Sequence, residues 1–209
     1  MRVQVLVDNR NSWIIPYACE LVSELINRGH RSTLVHEHTE VGEGDILCLL
    51  SCEKVFRNLH LNTYNLVVHE SDLPKGKGWS PVTWKVLEGE NEIPVTLFEA
   101  TDSIDSGAIY RQAVMKLDGH ELLPEIKHQQ GKITQQLILD FVDAYPNNGS
   151  VQQTGESTYY SKRTTDDSQL DIHKSIAEQF NLLRVCDNSR YPAFFILNGR
   201  KYIIKIEKA

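Results

Sequence analysis

Cysteine is scarce in this chain. Cys19, Cys48, Cys52 and Cys186 are the only four in 209 residues. Cys48 and Cys52 stand four apart with no matching His or Cys pair after them, so a structural zinc site is not encoded. Cys48 lies in an apolar run and reads as a small core residue. The set reads as free thiols in a reducing compartment. His36 and His38 flank Glu37 without a third ligand, and His120 and His128 fall in no pattern, so no metal is expected. Basic excess is missing too. A net charge of −6 argues against a broad nucleic-acid footprint, which needs a cationic face. No apolar run approaches the length of a membrane span. Met1–Val7 alternates like a strand and is far too short for a signal peptide. A cytoplasmic chain without membrane contact is therefore expected. The Asp8–Trp13 turn is not a GxGxxG loop, and neither an internal repeat nor a low-complexity tract is present.

What is present suffices for a sizeable core. Hydrophobic residues make up 41% of the chain, and the length fits one full domain or one domain with a small appendage. Residues 2–7 read as a first strand. Ser12 is a candidate cap for a helix to about Asn27, with Ile14, Ile15, Ala18, Leu21, Val22, Leu25 and Ile26 at helical spacing and Gly29 as the stop. Further strands are predicted at 32–35, 45–50 and 65–69, the last two as near-continuous apolar runs. Such runs alternating with a helix predict a Rossmann-like α/β fold, a mostly parallel twisted sheet flanked by helices and covered on both faces. A helix over 79–87, capped by Ser80 with Pro81 as its first residue, comes next. Residues 94–99 and 109–117 then read as antiparallel strands, and 122–145 as a helix weakened by Gly131. The polar, turn-rich stretch after Pro146 divides a core of residues 1–150 from an α+β appendage of residues 151–209. The appendage is predicted to hold a helix over 172–185 and a hairpin turned at Asn198-Gly199. That hairpin is a candidate surface for a homodimer.

The most informative stretch runs from His69 to Pro81. It puts a histidine at the exit of the apolar run Leu66-Val67-Val68 and follows it with a turn rich in Pro, Gly and Lys. A side chain at the end of a buried strand reaches the crevice beyond the sheet. Imidazole is also the group whose ordinary proton affinity lies nearest neutrality. About thirty-five residues on, Asp102–Ile109 supplies carboxylates on a second tight turn. The two loops suggest a proton-transfer pair. Taken singly, His69 reads as a hydrogen-bonded loop histidine and Asp105 as a turn former.

Their surroundings change that reading. His69-x-Ser71-x-Leu73-Pro74, Lys77-Gly78, Pro81, Trp84, Gly89, Val95-Thr96-Leu97 and Ile104-Asp105-x-Gly107-x-Ile109 together resemble the folate-dependent formyltransferases. The resemblance is strong over residues 44–112, resumes near 157–163 and 184–204, and is weak elsewhere. It implies transfer of a formyl group from the co-substrate 10-formyltetrahydrofolate to a primary amine. Such a reaction needs a donor for the tetrahedral oxyanion and a relay for the amine proton. The resemblance gives the first role to His69 and the second to Asp105. An ionised carboxylate beside an imidazole favours its charged, donating form. One departure stands out: the family has an asparagine two residues before the histidine, and here that position is Val67. Asn65 shares its strand face but lies roughly 6–7 Å further from the strand end. Ser71 or a water is left as the substitute donor.

The resemblance further places Leu73, Pro74, Thr101, Asp102 and Asp105 against the folate. It places Asn9, Arg10, Trp13, Lys77, Gly78, Trp79, Tyr159, Lys162 and Arg163 against the amine substrate. Asn9–Trp13 reads equally as a turn with a helix cap, Lys75 as part of a solvated loop, and Trp84 as core. Arg163 has a planar fork suited to a diphosphate, or pairs with Asp166, Asp167 or Asp171 at the surface. Arg184 reads as structural. The tail motif Tyr159–Arg163 is similar to that of the sugar N-formyltransferases. It implies a nucleotide-linked amino sugar. The short length and the Asp8–Trp13 loop resemble the formyltransferases used toward nonulosonic acids such as pseudaminic acid, which implies a UDP-linked 4-amino-4,6-dideoxy hexose. The alternatives are a methionyl-tRNA or glycinamide ribonucleotide formyltransferase, or a catalytically degenerate module that binds folate or nucleotide sugar.

Overall fold

The computed structural model describes residues 1–209. Its main sheet is built from β1 (Arg2–Leu6), β2 (Arg31–Val35), β3 (Gly44–Leu49), β4 (Asn62–His69), β6 (Glu92–Glu99) and β7 (Ile109–Lys116). The order is β2-β1-β3-β4-β6-β7. The first four strands are parallel, and β6 and β7 are antiparallel additions at one edge. The chain leaves β1 toward β2 and then crosses to β3 on its other side. This makes the carboxyl ends of β1 and β3 a topological switch point, where α/β sheets present a ligand crevice.

Strand alternation sorts side chains between two cores. Val3, Val5, Ile46, Cys48, Leu66, Val95 and Leu97 join the larger one, which helices α1 (Ile15–Asn27), α2 (Pro81–Leu87) and α3 (Leu123–Asp143) cover. Leu6, Leu47 and Leu49 face the other way and pack with Val41 and Phe56. The sheet is thus covered on both faces as predicted, but the long helices gather on one of them. Each fully buried aliphatic side chain contributes about 1.5–3 kcal/mol by leaving water.

Three local expectations need correction. The Ser12 hydroxyl caps nothing. Asn9–Ser12 forms a turn, and α1 starts at Ile15 with no side-chain cap. Ser80 likewise makes no cap bond. Its backbone is left-handed at φ +50°, and its carbonyl takes the Thr83 and Trp84 N–H groups instead. The tail helix predicted over 172–185 shrinks to α4 (Phe180–Val185). The Gln179 amide bonds the carbonyls of Asp171, Lys174 and Ser175 while its oxygen takes the Asp171 N–H, holding that stretch as turns. Gly131 has a packing cause: a β-carbon there would fall 2.5 Å from the Tyr17 ring of α1.

The tail closes over the sheet. Tyr159–Tyr160 (β8) pairs in parallel with Lys77–Gly78 (β5), and Val151 bridges to Ile109. β9 (Ala193–Leu197) and β10 (Arg200–Ile204) form the predicted hairpin, with Asn198 and Gly199 both at positive φ. Leu170, Leu183, Cys186 and Ala193 make a small core of their own. Arg184 is buried beside Glu121 at 3.6 Å and Asn91 at 3.4 Å, a structural role as read from sequence. No helix is long and apolar enough to cross a membrane. All four cysteines are free.

Candidate active site

His69 ends β4, opposite Thr96 of β6, and is 7% exposed. Its Nε2 lies 2.8 Å from the Gly76 carbonyl oxygen and 3.9 Å from Asp105 Oδ2. A carbonyl only accepts, so Nε2 carries the proton in that contact. The ring's second nitrogen gains a proton only in the imidazolium. Asp105 sits at φ +50° on the β6–β7 turn, a backbone state that aspartate tolerates better than most residues. Its carboxylate accepts the Gly78 N–H at 3.0 Å. Histidine, carboxylate and the glycine-rich loop therefore meet, as the sequence pairing anticipated.

Val67 occupies the position two residues before His69 and packs against the smaller core. Asn65, on the same face, cannot stand in for an asparagine there. Its amide donates to Leu59 O at 3.0 Å and Glu99 Oε1 at 3.3 Å. Ser71 is fully buried, its hydroxyl has no partner, and Gly76 covers it closely. It is a free donor two residues from His69. Burial raises the Glu99 carboxyl above the ordinary range, against the hydrogen bonds from Asn65 and Tyr110.

Lys77, which the resemblance sets against the amine substrate, is drawn inward. It is 5% exposed, and its Nζ donates to Ser106 Oγ at 2.9 Å, beside Asp105. Leu73 is buried and Pro74 half-buried after a cis peptide bond. Thr101 and Asp102 are exposed, and the backbone N–H groups of residues 101–103 bond nothing within the chain.

On the outer side, Trp79 is 44% exposed with Lys162 Nζ 4.3 Å above its ring. Tyr159 stands exposed in the adjoining strand. Trp84 is half-buried rather than core: it stacks on Tyr160 at 5.9 Å and bonds the Ser161 carbonyl. Asn9 is taken up locally by Glu53 and by the Asn11 N–H, while Arg10 is exposed and Trp13 packs edge-on to Tyr17. Arg163 turns into its own tail, where Nη2 donates to the Asp167 carbonyl at 2.7 Å. Neither a phosphate fork nor a carboxylate pair describes that contact. Glu70, Gln153 and Thr158, which sequence reasoning passed over, all lie against this site. Glu70 is a buried carboxyl one residue past His69 that accepts the Gln130 amide at 2.8 Å. Only its neighbourhood to the histidine could have flagged it.

Residues 11–142 match the family model described as Formyl transferase. The chain belongs to the formyl transferase family. Solved structures agree with this fold. Methionyl-tRNA formyltransferase from Clostridium thermocellum superposes with a TM-score of 0.82 at 18% identity, covering 100% of this chain and 93% of that one. A sugar N-formyltransferase from Shewanella sp FDAARGOS_354 gives 0.70 at 16% identity, covering 100% and 98%. HypX from Aquifex aeolicus, in complex with tetrahydrofolic acid, gives 0.78 at 17% identity, covering 99% of this chain and 37% of that chain. Family membership makes a formyl transfer the chemistry to be accounted for.

Proposed function

We propose that this chain transfers a formyl group from 10-formyltetrahydrofolate to the primary amine of a nucleotide-linked amino sugar. The observation that carries the reading is the buried contact of His69 with Asp105 at 3.9 Å, inside a formyl transferase domain. The folate supplies the activated formyl carbon. Leu73, Pro74, Thr101 and Asp102 border its place, the last two through free backbone donors. The amine nitrogen forms a bond to the formyl carbon, the bond from that carbon to the donor nitrogen breaks, and one proton passes from amine to donor nitrogen. His69 donates to the oxygen that becomes negative. Asp105 accepts the amine proton and is kept in line by the Gly78 N–H. Ser71 or a water serves where Val67 offers no donor.

Trp79, Tyr159 and Lys162 form an exposed aromatic and cationic surface beside Gly78, suited to a nucleotide base and its phosphates. Gly78 and Lys77 line the approach, and Asn9, Arg10 and Trp13 border the far side of the crevice. A UDP-linked 4-amino-4,6-dideoxy hexose meets these requirements. A tRNA substrate is the second reading, favoured by the methionyl-tRNA formyltransferase likeness and opposed by the net charge of −6. The test is incubation with 10-formyltetrahydrofolate and a panel of nucleotide-linked amino sugars, beside methionyl-tRNA, followed by mass spectrometry. A formyl group gained by one amino sugar is expected. Measurable folate and sugar binding without transfer to any acceptor would instead make this a binding module.

A further inference from the structure

The tail segment 151–160 lies outside the family match at residues 11–142, yet it is bonded to the turn that carries Asp105 and to the loop that holds His69. At one end, Gln153 Nε2 donates to the Asp105 carbonyl at 3.1 Å and the Gly107 carbonyl at 2.8 Å. It thus clasps the backbone of the turn that carries the carboxylate. Val151 anchors this end through its double bridge to Ile109. At the other end, Thr158 Oγ1 accepts the Gly76 N–H at 2.8 Å, and the Thr158 carbonyl accepts the Lys77 N–H at 2.9 Å. Tyr160 O accepts the Trp79 N–H at 3.2 Å. Gly76 is the residue whose carbonyl holds His69 Nε2. The fit is close. A β-carbon on Gly78, at φ +96°, would fall 2.5 Å from the Tyr160 carbonyl oxygen. The loop glycines are therefore shaped to receive the strap.

We propose that this strap sets the spacing of the His69–Asp105 pair, with Gln153 and Thr158 as its positioning residues. The inference rests on the formyl-transfer reading above for what the pair does, but not for how it is held. The two catalytic loops share few direct ties: Gly78 N–H to the Asp105 carboxylate, and Lys77 to Ser106. The strap adds a third connection that is continuous and backbone-pinned at both ends. Loosening either end frees one member of the pair by a fraction of an ångström to an ångström. A displacement of that size costs up to about a hundredfold in rate. Because neither residue reaches the amine, the loss falls on turnover rather than on the Michaelis constant.

The experiment uses the full chain with Gln153→Glu, Thr158→Val and Thr158→Ser. Glutamate keeps the shape of Gln153 but faces two carbonyls with no donor. Valine keeps the shape of threonine without the hydroxyl, and serine restores it. Two readouts are taken: steady-state kinetics with the amine varied, and the nitrogen resonances and pH titration of the His69 imidazole by NMR without substrate. Gln153→Glu and Thr158→Val are expected to lower kcat by about ten- to a hundredfold with KM nearly unchanged, and to move the His69 resonances. Thr158→Ser is expected to recover both. Wild-type turnover and unmoved resonances in the two disruptive variants overturn the proposal. Should Gln153→Glu fail to fold, the Thr158 pair decides alone. Should the wild-type chain transfer no formyl group, the functional reading fails, and the His69 resonances still judge the strap.

Discussion

Gly107 lies so close to Glu99 that a β-carbon on it would overlap the Glu99 carbonyl oxygen. The contact closes the β6–β7 turn two residues after Asp105. Gly107→Ala must push the turn off Glu99 and carry the Asp105 carboxylate with it. Turnover is expected to fall by about a hundredfold, with overpacking costing about 1–3 kcal/mol of stability. Steady-state kinetics and thermal unfolding of the variant check this. A fully active Gly107→Ala protein would mean that the turn yields without moving the carboxylate.

The pair itself is expected to act in the transition state rather than in the core. His69→Ala and Asp105→Asn should each lower kcat by about two to four orders of magnitude while the far-ultraviolet spectrum stays native. Ser71→Ala removes a buried hydroxyl that has no partner, so stability should hold or rise. Its turnover is expected to drop. An unchanged rate in Ser71→Ala assigns the missing donor to water.

Glu70 gives the fold a pH dependence. Burial raises its carboxyl above the ordinary range, against the opposing pull of His69 and the Gln130 hydrogen bond. The folded chain therefore holds this proton to a higher pH than the unfolded chain does. Stability falls as pH rises from the unfolded value through the folded one, and stays lower above it. Glu70→Gln removes the ionisation and keeps an acceptor for Gln130. Its unfolding midpoint should exceed the wild-type midpoint at about pH 8 and match it at about pH 4. Each kcal/mol gained corresponds to about 2–4 °C. An equal difference at both pH values would separate the effect from this carboxyl.

Arg163 and Trp79 should behave differently toward the proposed nucleotide sugar. Arg163 is engaged with the Asp167 carbonyl inside the tail, so Arg163→Ala is expected to lower the unfolding midpoint and leave KM near wild type. Trp79 offers an open ring under Lys162. A stacked base is worth about 1–3 kcal/mol, so Trp79→Ala should raise KM by roughly five- to a hundredfold with kcat retained. Kinetics with the sugar varied at saturating folate distinguish the two. A raised KM in Arg163→Ala would return that arginine to the phosphates.

Where side chains repeat with the period of an element, the fold is legible in the residues. The apolar runs 45–50 and 65–69 read as buried strands, and Asn198-Gly199 as a tight hairpin turn. His69 and Asp105 are legible through the spaced motif around them. Contacts made by isolated polar groups are not. Gln153 lies in a turn-rich stretch that reads as a linker, yet it clasps the Asp105 turn. Lys77 carries a charge and sits between glycines, which says nothing of a partner within the chain, yet it is buried against Ser106. Residues Ile172 and Ile176 have helical spacing but are exposed, because Gln179 supplies the backbone partners that a helix would otherwise provide.

The distribution of thiols has a practical consequence. Burial pushes Cys48 and Cys52 up to about 12, and raises Cys186 as well, so these three stay as unreactive thiols at neutral pH. Cys19 is the exposed one, on the outer side of α1. A maleimide dye should therefore attach at one position of the unmodified chain, without any engineered cysteine. That position is on α1, which makes it a single reference point for distance measurements to a labelled ligand.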